Sequence, residues 1–191
     1  MATSSTEICN LALVHLGQGE IASMTEASPE AKVMNRIYEY CRRKCLRDSP
    51  WQFATRVVTL AELADETDSV WSYVYAKPAG CIRIQGIIPE SSTTQTVPYA
   101  VREEMIYTDM GEAELKFNYD IEDPNKFSDT FILALSHLLA SVASKAITGD
   151  PADKTTNYQM YQQLIEKDKG VDAGESKEIP AVGLDFINAR A

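Results

Sequence analysis

A chain of 191 residues with 45% hydrophobic and 24% charged residues can build one domain with a proper core, or one domain carrying a sizeable insertion. Its net charge of −10 and pI of about 4.7 exclude a protein whose whole surface grips nucleic acid, because phosphate binding needs a basic face. No basic run followed by an apolar stretch opens the chain, and the best bilayer-spanning candidate, 131–147, is interrupted by Ser136, His137, Ser141, Ser144 and Lys145, so neither a signal peptide nor a membrane span is expected.

The first predicted helix runs from about Ser5 to Leu16, with Ile8, Leu11, Ala12 and Leu16 at the helical period and Gly17 as its stop. His15 lies inside it with no acid or nucleophile in helical register, which points to a structural role. Residues 18–27 read as a loop. Ser28 as N-cap, Pro29 at the first helical position and Glu30 in the first turn then start a second helix. Its buried stripe is Val33, Met34, Ile37, Tyr38, Cys41 and Cys45, and it ends near Asp48 because Pro50 disfavours a helical Ser49.

That helix is basic: Lys32, Arg36, Arg42, Arg43, Lys44 and Arg47 project away from the stripe, as a solvated face or as a contact for an acidic partner. Cys41 and Cys45 are four apart and could supply two metal ligands. They also fall on the apolar stripe, where a reduced thiol behaves as a small hydrophobe. With no CxxC pair and only His15 and His137 as histidines, no metal site is read.

From 54 to 123 the period changes to that of strands. Six runs are β-rich: Arg56–Leu60, Trp71–Tyr75, Cys81–Ile88, Tyr99–Arg102, Met105–Thr108 and Glu114–Tyr119. Turn formers separate them, and the connections are too short for crossovers, so about four to six short, mostly antiparallel strands are expected. Acidic residues dominate here, among them Glu62, Asp65, Glu66, Asp68, Glu103, Glu104, Glu112 and Glu114.

Helix returns after Pro124. Phe127, Phe131, Leu135, Leu138, Val142 and Ala146 mark one face, and Ile132, Leu133 and Leu139 widen it, as in the central helix of a bundle. His137 reads as a hydrogen-bonded core residue. Asp150-Pro151 caps a fourth helix with the stripe Tyr158, Tyr161, Leu164 and Ile165. Residues 168–178 look like a linker. The end restores apolar side chains (Ile179, Pro180, Val182, Leu184, Phe186, Ile187), which suits an arm docked on another surface, the alternative being a tail folded back on its own domain.

The expected fold is therefore α+β: a four-helix bundle (1–53 plus 124–170), an inserted small antiparallel β domain (54–123) and an extended C-terminal arm (171–191). Trp51 and Phe53, between the second helix and the β block, are expected to pack in the core, where they can wedge one part against the other. No phosphate loop, GxSxG, HExxH or EF-hand spacing occurs, and Gly17-Gln18-Gly19 lacks the strand a dinucleotide fingerprint needs. No catalytic residue, cofactor or metal is assigned, and the protein reads as a non-enzyme.

In order and spacing, several segments match a known pattern: Ile8-Cys9-Asn10-Leu11-Ala12-Leu13, Ser49-Pro50-Trp51-Gln52-Phe53-Ala54, Trp71 to Pro78, Cys81-Ile82-Arg83-Ile84, and Asp123-Pro124 with Phe127 through Gly149. From about Glu7 to Ile165 the chain resembles the tail tubular protein A family and related head-to-tail adaptors of tailed phages. The Pro-Trp-x-Phe-Ala segment is the most distinctive part. The resemblance implies a homo-oligomeric ring, a dodecamer in the virion neck, made in the host cytoplasm. It implies binding to the portal protein ring and to the tail nozzle or tail tube, with the arm reaching the portal or a neighbour. Double-stranded DNA passes the lumen without sequence-specific binding, and no membrane is involved. An acidic lumen would let the duplex slide. The alternatives are another tail-completion or neck protein of a tailed phage, or a small cytosolic α+β enzyme or regulator.

Overall fold

The structure, a computed structural model, describes residues 3–89 and 96–175, with 169–175 by backbone alone. Helix α1 (Ser5–His15) starts at a reciprocal cap: the Glu7 amide donates to Ser4 Oγ at 3.1 Å and the Ser4 amide to Glu7 Oε2 at 2.7 Å. Helix α2 (Pro29–Asp48) is capped by Ser28, which accepts from the Ala31 amide at 3.3 Å. In the same way Ser128 caps α3 (Asp129–Ile147), and Asp150 caps α4 (Pro151–Glu175). Serine and aspartate at these four starts satisfy amides that an α-helix leaves without a partner.

Helix α3 packs against α1, α2 and α4, and the helices share one apolar cluster. Between α2 and α3 the chain forms six strands: β1 (Thr55–Thr59), β2 (Tyr73–Ala76), β3 (Cys81–Ile88), β4 (Tyr99–Arg102), β5 (Met105–Thr108) and β6 (Glu114–Tyr119). They make two three-stranded antiparallel sheets, in the orders β1-β6-β3 and β2-β5-β4. The two sheets enclose a second apolar cluster that contains Tyr75, Ile106, Leu115 and Phe117. The chain is thus mixed α+β, with four α-helices and two small antiparallel sheets among the described residues.

Several expectations need correction. Helix α4 continues to Glu175, through residues 168–170 and into the segment read as linker and arm; polar residues such as Lys167 and Asp168 carry good or tolerable helix propensity, and polarity alone does not end a helix. The arm residues Ile179, Pro180, Val182, Leu184, Phe186 and Ile187 lie outside the described residues. On α3, Leu133, Val142 and Ala146 are exposed, whereas Ser136, Ser141 and Ser144 are buried. These serines bury at low cost because each hydroxyl finds a carbonyl: Leu133 O for Ser136, Lys154 O for Ser141 and Ser141 O for Ser144. Tyr158 is 40% exposed, so the α4 stripe narrows to Tyr161, Leu164 and Ile165. Finally, α3 is long and apolar enough to cross a membrane by length and composition, contrary to the sequence reading. Its interrupting serines and histidine lie within the packing of α1 and α4.

Arg42 departs furthest from expectation. Rather than projecting with the other basic residues of α2, it is 1% exposed. Its guanidinium donates to Glu39 Oε2 at 2.7 Å, to Asp120 Oδ1 at 2.6 Å and to the Ile121 carbonyl at 2.5 Å. Burial opposes its charge, yet the bonds to Glu39 and Asp120 outweigh that and hold its pKa above the ordinary value. Arg42 thereby ties α2 to the segment leaving β6.

The end of α2 is the second junction. Its last carbonyls have no helical partners, and side chains supply them. Trp51 Nε1 donates to Cys45 O at 2.8 Å, Asn118 Nδ2 to both Leu46 O and Ser49 O at 2.6 Å, and Arg83 Nη1 to Arg47 O at 3.1 Å. Asn118 is fully buried, and its Oδ1 accepts from Gln85 Nε2 at 2.6 Å. Replacing Asn118 with Ala should therefore cost about 2–4 kcal/mol, because two buried carbonyls lose the donor that Asn118 supplies to both. Arg83→Ala, at a half-exposed site, should cost under about 1 kcal/mol. Urea unfolding of the two variants checks this, and equal costs would refute the assignment.

Candidate docking groove

Tyr40, Arg43, Lys44 and Arg47 recur at helical spacing on the outer face of α2. Two open hollows, of about 610 and 630 Å³, flank this stripe and meet at Arg47 and Asp48. The first is walled by Arg83 of β3 and by Tyr158, Tyr161 and Gln162 of α4. The second is walled by Tyr40, Lys77 and Ile82. Together they form one groove lined by five cations (Arg43, Lys44, Arg47, Lys77, Arg83) and three carboxylates (Glu39, Asp48, Glu166); Lys44, Arg43 and Lys77 pair with Asp48, Asp120 and Glu104, and Arg47 and Arg83 form no ion pair among the described residues.

The floor is fixed by hydrogen bonds. Asp48 Oδ2 accepts from Lys44 Nζ at 2.7 Å and from the Tyr161 hydroxyl at 2.6 Å. Lys44 also lies 5.9 Å from the centre of the Tyr161 ring. Burial pulls the Lys44 ammonium down, but its bond to Asp48 prevails and raises its pKa. The Tyr161 hydroxyl is pushed up, first by burial and then by neighbouring Cys45 and Asp48, so it stays a donor. At the rim, Tyr40 is 73% exposed and Arg43 reaches Asp120 Oδ2 at 3.3 Å. Arg47 is exposed and forms no ion pair among the described residues. Cationic donors beside tyrosine faces can hold carboxylate side chains of a protein partner.

Trp51 and Phe53 sit beside this groove, within the helical cluster. Trp51 is buried and meets Phe131 edge-on with ring centres 5.0 Å apart; Phe53 meets Phe131 at 5.2 Å and Phe127 at 5.9 Å. Their aromatic contacts are with α3 and the turn before it, not with strands. Both aromatics are core residues of the helical cluster, against which Ile82 and Tyr119 of the β block also pack, and polar bonds from Arg42, Asn118 and Arg83 join the two parts as well. The α2 stripe was legible in the sequence. Arg83 was not, because a lone arginine on a strand carries no spacing signal, and Tyr158 and Tyr161 were read as a buried stripe rather than as the wall of a groove.

The remaining candidates for chemistry sit in the core. Cys9, Cys41 and Cys45 are buried, and burial pushes the Cys9 and Cys41 thiols up to about 12. Among the described residues no group of three His, Cys, Asp or Glu side chains is placed to hold a metal ion. The two histidines stack, with ring centres 3.9 Å apart and planes 9° from parallel. His15 Nε2 lies 3.0 Å from Ser136 Oγ, and His137 Nδ1 lies 2.9 Å from Asn157 Oδ1. Asn157 Nδ2 donates to Asp153 O at 2.9 Å, which leaves its oxygen to accept from His137. His137 is thus a hydrogen-bonded core residue, as its position in the apolar face suggested.

No family model matches the chain, and no curated protein matches it in sequence.

Burial, and then the proximity of His137, lower the His15 pKa from 6.5 to about 4. The folded protein therefore resists a proton that the unfolded chain accepts. The His15 contribution to stability is complete above pH 6.5 and is lost as pH drops from 6.5 through 4. His15→Phe should keep the stack and flatten that part of the stability curve. Chemical unfolding across this range, wild type against variant, reads it directly.

Proposed function

We propose that the protein is a structural head-to-tail adaptor of a tailed phage, forming a ring between the portal and the tail nozzle through which DNA passes. The single observation that carries this reading is the order of elements. Two helices lead through Pro50-Trp51-Gln52-Phe53-Ala54 into an inserted β block, and two more helices follow it. In this reading the helices make a four-helix bundle that packs laterally in the ring, and the β block is the part offered to a neighbouring layer. Residues 179–187 serve as the arm that reaches the portal or a neighbouring copy. The net charge of −10 suits a channel wall that repels phosphate and lets the duplex slide. The second helix contributes an exposed cationic stripe, a feature suited to a protein partner rather than to the passing DNA.

The direct test mixes the purified protein with the portal ring encoded by its own genome and images the mixture by electron microscopy. A layer of added density with the portal's symmetry is expected. Failure to bind an intact portal would move the protein to another station or another role. Deleting residues 178–191 should leave the thermal unfolding of the domain unchanged and weaken that added layer. Normal ring formation by the truncated chain would remove the arm from the proposal.

A further inference from the structure

The charge on this molecule is not only negative but polar along one strand. Strand β3 begins at Cys81, beside the cationic groove, and ends at Ile88. There it pairs with Glu114 of β6, whose other partner is Thr59 of β1. At about 3.3 Å per residue, the two ends of β3 are roughly 20 Å apart. The far end is acidic: Glu62, Glu112 and Glu114 are all exposed there. The Leu60 amide donates to Ala113 O at 2.9 Å, and Glu62 bridges to Tyr75, so the segments that carry the three carboxylates meet at one end of the β block, its acidic edge. None of them forms an ion pair among the described residues. Glu112 even adopts a left-handed backbone (φ 48°), where glycine would be free of strain.

A cationic groove at one end of a strand and an unpaired carboxylate edge at the other are self-complementary only between copies. They cannot meet within one chain across that span. We infer that the groove between α2, β3 and α4 receives the Glu62, Glu112 and Glu114 edge of a second copy of this chain. Because the two patches are different surfaces, the contact is heterologous, and it repeats head to tail until rotation closes a ring or leaves an open filament. This deepens the adaptor reading, on which it rests, by naming the faces through which neighbouring subunits meet. Tyr40 and Tyr158 flank the groove with flat, exposed rings, and Arg47 at its centre is the cation best placed to pair across the interface.

The test is sedimentation velocity of the full chain at rising concentration, in low and in high salt. Wild type should associate reversibly in low salt and dissociate in high salt. R47E/R83E and E112K/E114K should each weaken association by about tenfold or more. An equimolar mixture of the two should recover it, since the reversed groove of one then faces the reversed edge of the other. Thermal unfolding confirms that each variant is folded, and R43E/R47E replaces the first should Arg83 prove necessary for folding. A wild type that stays monomeric in low salt, an association indifferent to the reversals, or a mixture that fails to recover it overturns the inference. A ring on the portal that tolerates both reversals would overturn this interface and leave the adaptor reading standing. Charge-dependent self-association without portal binding would do the opposite.

Discussion

The bare carbonyls at the end of α2 govern how the rest of this protein is arranged. A helix that stops before a proline leaves its last acceptors exposed to the interior, and such acceptors must be satisfied or the helix frays. Here Trp51, Asn118 and Arg83 do so. Two of these three come from the β block, which therefore cannot turn relative to the helix without stranding buried carbonyls. Arg42, one turn earlier, adds a charged tether to Asp120 and the Ile121 carbonyl on the chain's return path. The junction between helices and sheets is held by directional polar bonds, whereas each part is held together internally by its own apolar cluster. Tyr119 packs against both clusters and bridges them.

Within this division Trp51 serves both kinds of bond. An indole buried among Phe131 and Phe53 contributes apolar area to the helical core, while its N–H corrects a local defect in the backbone six residues before it. The aromatic group around Phe131 thus fixes the point where the chain leaves the helices. The direction in which it leaves is set by the amide of Asn118.

Local order was legible in the sequence because it is written in local terms. Ser28-Pro29, Asp150-Pro151 and the turn formers around the strands act over a few residues, and the six strands appear within two residues of their expected limits. What could not be read is non-local. The division of six strands into two sheets depends on β1 and β6 meeting across more than fifty intervening residues. The burial of Arg42 depends on Asp120, which is distant in sequence. Likewise, hydrophobic periodicity favoured Val142 over Ser141 and Ser144, since a hydropathy pattern does not register that a serine hydroxyl can return a bond to its own helix. The candidate groove shares this character: its α2 stripe shows in the sequence, but the walls from β3 and α4 are assembled only by folding.

The pairing of Thr55 with Asn118 has one more consequence. The chain leaves the helical part and returns to it on adjacent rungs of a single ladder, about 5 Å apart. As far as chain connectivity goes, everything between those residues is therefore the equivalent of one tight turn. The loop-closure entropy of a long excursion is met within the β block by its own pairing, and it grows only slowly with length in any case. Changes in the block that spare β3 and β6, whose Ile82, Arg83 and Asn118 meet the helices, leave that crossing point in place. Such a layout lets the outward-facing block diversify while the helices keep their packing.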